Sequence, residues 1–114
     1  MPMLLLKNRL RKKPEFEKVY RIGRVFSQEN ITLRVAKNDF NYPRIGVVVS
    51  GKFSKKAVER NKIKRQIKAI LKKNMLRLNV GMDIIVAPQK KEKLSYRQLQ
   101  ENVENSLKKA KLIS

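Results

Sequence analysis

The chemistry of this chain is concentrated between Ser50 and Lys68, where Glu59 is the single carboxylate in a dense run of Lys and Arg. Such a run offers cationic donors and no acid–base or metal-binding set. Its natural substrate is a row of phosphates. At 100° per residue it predicts a helix with two unlike faces. Ile63, Ile67, Ile70 and Leu71 form an apolar stripe at i, i+4, i+7 and i+8. Asn61, Arg65, Lys68 and Lys72 fall opposite, with Lys62 and Lys64 on the flanks. A solvated face normally mixes both signs, because like charges four apart repel; this one does not. Lys55 and Lys56 fall in the first predicted turn, where the helix dipole disfavours cations and favours a phosphate. Arg60 falls near Ile63 and is expected to stand exposed, at the edge of the packed layer or in a cleft. A second chemical feature is the pair Phe16 and Tyr20, four apart on a predicted helix. Core packing accounts for such a pair; so does a platform on which unpaired bases stack.

Composition narrows the partners. The 114 residues carry 29 basic and 9 acidic side chains, a net charge of +20, with no His and no Cys. Disulfides, thiolate zinc sites and histidine catalysis are excluded. Charge of that size on one small domain calls for a polyanion, nucleic acid first and an anionic membrane surface second. The acids do not cluster: only Glu101 and Glu104 share helical spacing. Protein-held metal ions for phosphodiester hydrolysis would need more. No apolar run approaches a spanning helix, and Met3–Leu6 is too short for a signal-peptide core, so a cytoplasmic address is expected.

The elements that must position these residues follow from pattern. A single domain over 1–114 is expected, with 1–13 as an extended basic arm lying on the domain or on RNA. Pro14 opens a first helix and Gly23 closes it. Arg24–Phe26 can pair with Ile31–Ala36, where Ile31, Leu33 and Val35 alternate with Thr32, Arg34 and Ala36 as in a half-buried strand. Arg44–Val49 reads as a central strand buried on both faces. The basic helix should end near Lys73–Asn74. Asp83–Ala87 reads as a strand parallel to the previous one, since strand, helix, strand forms a βαβ unit. Ser95-Tyr96-Arg97-Gln98 is a capping box before a last helix with Leu99, Val103, Leu107 and Ala110 on one face. The order α-β-β-β-α-β-α predicts an α+β sandwich built on a small mixed sheet of about four strands.

These residues also carry a resemblance. Arg60-Asn61-Lys62-Ile63-Lys64-Arg65 resembles the Arg-Asn-Arg signature of the bacterial ribonuclease P protein subunit. Asn8-Arg9-Leu10 with Phe16, Val19, Tyr20 and Gly23, the strand Arg44–Ser50, and Gly81–Pro88 are similar to that family's patterns, over roughly residues 8–110. Three positions depart: Lys62 stands where Arg is usual, Gly51 where a second Lys is common, and Tyr20 where Phe is frequent. The resemblance implies a two-layer α/β sandwich with a left-handed βαβ crossover, against the general rule of about 98% right-handed crossovers. It implies a subunit of a ribonucleoprotein endonuclease that removes the 5′ leader of precursor tRNA. The RNA subunit would catalyse with Mg²⁺, and the protein would hold no cofactor, metal or catalytic residue. Lys52, Lys55, Lys56, Arg60, Asn61, Lys62 and Arg65 would face the catalytic RNA, one protein per RNA. Phe16, Tyr20, Arg34, Lys64 and Lys68 would line a cleft for the single-stranded leader. A general RNA-binding module, such as a small ribosomal protein, is the alternative. A membrane-surface protein fits less well, because the apolar stripe of the basic helix is needed for the core.

Overall fold

The computed structural model describes residues 6–113. In chain order they form α1 (Lys13–Ile22), β1 (Arg24–Gln28), β2 (Ile31–Lys37), β3 (Arg44–Val47), α2 (Ala57–Lys73), β4 (Met82–Pro88) and α3 (Tyr96–Lys109). Short 3-10 turns precede α1 and follow α2. The sheet runs β1-β2-β4-β3. β1 and β2 are a hairpin whose loop residue Glu29 takes φ 56°. β2 and β4 are antiparallel, and β3 and β4 are parallel. Ser95 caps α3, accepting from the Gln98 N–H, while Gln98 accepts from the Ser95 N–H at 2.9 Å.

One face of the sheet carries Ile31, Leu33, Val35, Ile45, Val47, Ile84 and Val86. They close the main core with Ile67, Ile70 and Leu71 of α2 and Leu99, Val103 and Leu107 of α3. This is the two-layer sandwich; α1 crosses the opposite face. There Val19 packs with Leu10, Ala36 and Ile85. The alternation in β2 therefore does not mean a half-buried strand. Its second set, Thr32 and Ala36, is buried as well, because α1 returns over it.

The hand of the crossover follows from chirality. Seen from α2 with β3 running upward, an L-residue whose side chain faces the viewer directs its N–H and C=O to the right. Ile45 faces α2, and its carbonyl accepts from Leu10 N–H at 2.9 Å. Leu10 therefore lies to the right of β3, and β4 to the left. Val86 of β4 also faces α2 and sends its carbonyl rightward to Val48 N–H at 3.0 Å. The path from β3 over α2 to β4 thus runs leftward and is left-handed.

Two further readings change. β3 is an edge strand, not a central one. It is as apolar as a central strand because Arg9 and Leu10 cover its free edge while α2 and Phe16 cover its faces. Of the expected arm, residues 1–5 lie outside the described residues. Asn8 is buried and donates to the Pro43 carbonyl at 2.8 Å. The basic helix begins at Ala57, so Lys55 and Lys56 precede its first turn. Ser54 diverts the chain there: its hydroxyl accepts from the Lys56 N–H at 3.1 Å, a local turn that competes with helix.

Candidate nucleic-acid interface

The single carboxylate of the basic stretch holds its own loop. Glu59 accepts from the Ser54 hydroxyl and pairs with Lys91, each at 2.5 Å. The Lys91 hydrogen bond first, then that of Ser54, lowers the pKa of Glu59. Arg60 Nη1 donates to the Ser54 carbonyl at 2.9 Å. Arg60 is thus half-buried and tied to the loop, not freely exposed as the helical projection predicts. The buried Phe53 side chain pins the same loop from below. These contacts hold Lys52, Lys55 and Lys56 exposed in front of α2. Asn61, Lys62 and Arg65 continue the exposed strip along the helix. Ile67, Ile70 and Leu71 are fully buried beneath it. Glu59 and Arg60 thus fix the surface that the other residues present. A Ser shortly before an Ala-Val-Glu helix start was the sequence signal for this clamp.

The opposite face of the sheet holds the aromatic pair. Glu15, four residues before Val19, bonds back to the N–H groups of Arg11 and Lys12 at 2.8 and 3.1 Å and anchors the start of α1. Phe16 lies on Gly46; a Cβ there would stand 2.6 Å from the Phe16 ring, so only glycine admits the contact. Phe16 is half-buried. Tyr20, one turn on, is 46% exposed and stacks under Arg34, whose guanidinium carbon is 4.9 Å from the ring centre. Arg34 lies on one cross-strand rung with Val25 and Ile85. Two residues back along β2, Thr32 stands between Ser27 and Ala87. Oγ1 of Thr32 is the only fully buried side-chain polar atom among the described residues without a hydrogen bond.

Lys64 and Lys68 belong to α2, across the sheet from Tyr20. They reach the α1 side only around the edge of β3. There, with Arg9, Leu10 and Phe16, they line a cavity of about 110 Å³. The structure thus joins Phe16, Lys64 and Lys68, and separately Tyr20 and Arg34; Phe16 is the link between the two groups. Burial first, then the adjacent charges of Lys64 and Arg9, lowers the pKa of Lys68. Cations crowded in this way are relieved by an anion. Arg9 is a lining residue that charge patterning alone did not single out.

Among the described residues no three acidic side chains converge as metal ligands, and no helix is long and apolar enough to cross a membrane.

A family model described as Ribonuclease P matches residues 4–111. The ribonuclease P protein component of Pseudanabaena sp. is 38% identical over 113 residues, covering 97% of each chain. That of Clostridium botulinum is 38% identical over 105 residues, covering 90% of this chain and 94% of the relative. The solved RNase P protein from Thermotoga maritima superposes with a TM-score of 0.81 at 34% identity, covering 89% of this chain and 96% of that one. An RNase P protein from Staphylococcus aureus, a mutant with defective mRNA degradation activity, gives 0.83 at 28% identity, covering 94% of this chain and 91% of that one. With the family model spanning nearly the whole length and the relatives matched almost end to end, the chain belongs to the ribonuclease P protein component family.

Proposed function

We propose that this chain is the RNA-binding, non-catalytic protein subunit of ribonuclease P, acting on precursor tRNA with one protein per catalytic RNA. In this reading Lys52, Lys55, Lys56, Asn61, Lys62 and Arg65 contact the catalytic RNA, with Arg60 holding the loop that presents three of them. Phe16, Tyr20 and Arg34 floor the path of the single-stranded 5′ leader, and Lys64 and Lys68 meet its phosphates at the β3 edge. The observation that carries the reading is the exposed strip from Lys52 to Arg65, set on the loop before α2 and on α2, whose other side is sealed in the core. The acids support a non-catalytic role. Asp83 is taken by Arg44 and Asn38, Glu59 by Ser54 and Lys91, and Glu104 by Asn74 and Gln100. The Mg²⁺ ions of the reaction would accordingly be held by the RNA.

The test is whether the protein restores leader cleavage by a bacterial ribonuclease P RNA at low magnesium. RNA binding without stimulation would reduce the chain to a general RNA-binding module. Two substitutions separate binding from folding. Arg65→Ala should weaken assembly with the catalytic RNA and change folding stability by less than about 0.5 kcal/mol, as an exposed site. Ile67→Ala should cost about 2–5 kcal/mol of stability as a core truncation. Urea melts and RNA titrations of both variants check the pair; a reversed pattern would show that the facing of α2 is wrong.

The leader path has its own check. Tyr20→Ala should weaken binding of precursor tRNA by the roughly 1–3 kcal/mol of one stacked base. Mature tRNA, which has no leader, should bind as before. The melting temperature should drop only slightly, since the ring is 46% exposed. Equal losses for both RNAs would make Tyr20 a packing residue.

A further inference from the structure

A larger concavity adjoins the exposed strip, between α2, residues 88–95 and the start of α3. Its volume is about 280 Å³, close to the roughly 300 Å³ at which ligand pockets begin. Ile31, Phe53, Ile63 and Leu99 make an apolar lining. The rim is cationic, with Lys62, Lys90, Lys91 and Lys93 against Glu59 and Glu92. Lys91 is neutralised by Glu59. One wall is held rigid: the Asn30 side chain accepts from the Lys90 N–H at 2.9 Å and donates to the Lys90 carbonyl.

Besides that of Asn30, which Lys90 occupies, two side-chain amides line this space, those of Gln66 and Asn102. Both residues are half-buried, and neither amide makes a hydrogen bond to another described residue. An amide offers donors and an acceptor together, which matches the edge of a nucleobase. An aliphatic ligand would leave both amides unpaired and desolvated. Lys62 belongs to both places: it lies in the exposed strip of α2 and on this rim. Its ammonium is a flexible point charge and needs no planar fork to meet a phosphate.

We infer that this cavity receives one unpaired nucleotide of the catalytic RNA. The base enters against Phe53 and bonds the Gln66 and Asn102 amides, and its phosphates meet Lys62, Lys90 and Lys93. This rests on the reading that the chain binds that RNA, and it extends the footprint from α2 to the 88–95 loop.

The experiment uses the full chain and a bacterial ribonuclease P RNA, titrated at several salt concentrations. The double variant Gln66→Ala/Asn102→Ala should bind about tenfold more weakly, the scale of one hydrogen-bonded base. Its dependence of log K on log salt should be unchanged, because no charge is removed. Lys90→Gln/Lys93→Gln should flatten that dependence by about one for each phosphate no longer neutralised. A second measurement does not depend on those variants folding. A photoreactive benzoylphenylalanine in place of Leu94, on the rim, should crosslink at one nucleotide of the RNA. Wild-type affinity in the amide variant overturns the inference, as does a crosslink that is absent or spread over many nucleotides. If the unmodified protein fails to bind the RNA, the proposed function itself falls.

Discussion

Replacing Asp83 with alanine should cost about 3–5 kcal/mol, the loss expected when one partner of a buried ion pair is removed. Asp83 is 0% exposed. Its carboxylate receives Arg44 Nη2 at 2.7 Å, Arg44 Nε at 2.8 Å and the Asn38 amide at 2.8 Å. Arg44 then reaches Glu15 of α1 with Nη1 at 3.0 Å. One guanidinium therefore ties β3 to β4 and both to the helix on the far face. Without Asp83, Arg44 keeps Glu15 and its place over the Phe40 ring, and the Asn38 amide loses its acceptor. A domain of this size holds about 5–15 kcal/mol in total, so about a fifth of the stability or more should go. Arg44→Ala should behave alike, and the double variant should lose clearly less than the sum of the two. Urea melts of the cycle check this; additive losses would mean the pair does not act as a unit. Acid should act on the same network. The Arg11 N–H first, against the opposing effect of burial and with help from Lys12 N–H and Arg44, holds Glu15 below its ordinary 4.5. A lowered folded pKa gives stability that is complete above the ordinary value and is lost as pH falls through the folded one. Stability should therefore decline on acidification below about pH 4.5, and less steeply in Glu15→Gln.

That network marks where the sequence stops being legible. Periodicity revealed α2, α3 and its capping box, and the β1–β2 pairing, because each is set by neighbours a few residues apart. Arg44 and Asp83 are 39 residues apart and meet only because they are register partners on parallel strands. Helical spacing of acids cannot detect that. The edge position of β3 was hidden for a related reason. An edge strand covered by Leu10 and Phe16 has the composition of a central one. The crossover hand came from the family resemblance, since the general rule gives the opposite. Of the interface, the exposed strip was legible, Asn61 and Arg65 as the face opposite the Ile stripe and Lys62 on its flank. The facing of Arg60 was not, because Ser54 delays the start of the helix and turns its carbonyl toward the guanidinium. Lys64, Lys68 and Phe16, placed in one cleft by the family resemblance, line one small cavity. The separation of the two lysines from Tyr20 needed the observation that α2 and α1 lie on opposite faces of the sheet.

Affinity for the catalytic RNA should fall by about a thousandfold between 50 and 200 mM salt. The strip on α2 and its loop presents five exposed cations, Lys52, Lys55, Lys56, Lys62 and Arg65, and Lys90 and Lys93, exposed on the 88–95 loop, extend them. Each phosphate neutralised releases condensed counterions, with a slope of about −0.7 in single strands and −0.9 in duplex. About six neutralised phosphates give a slope near −4 to −5, and a fourfold rise in salt then costs about 10²·⁵ to 10³ in affinity. Hydrogen bonding by Asn61 adds affinity without adding to this slope. Arg65→Ala should make the slope shallower by about one, whereas Tyr20→Ala should lower affinity for leader-bearing tRNA at a fixed slope, because stacking releases no counterion. Titrations of the wild type and both variants across this salt range separate the two kinds of contact. A flat dependence in the wild type would mean that the +20 charge is not what grips the RNA.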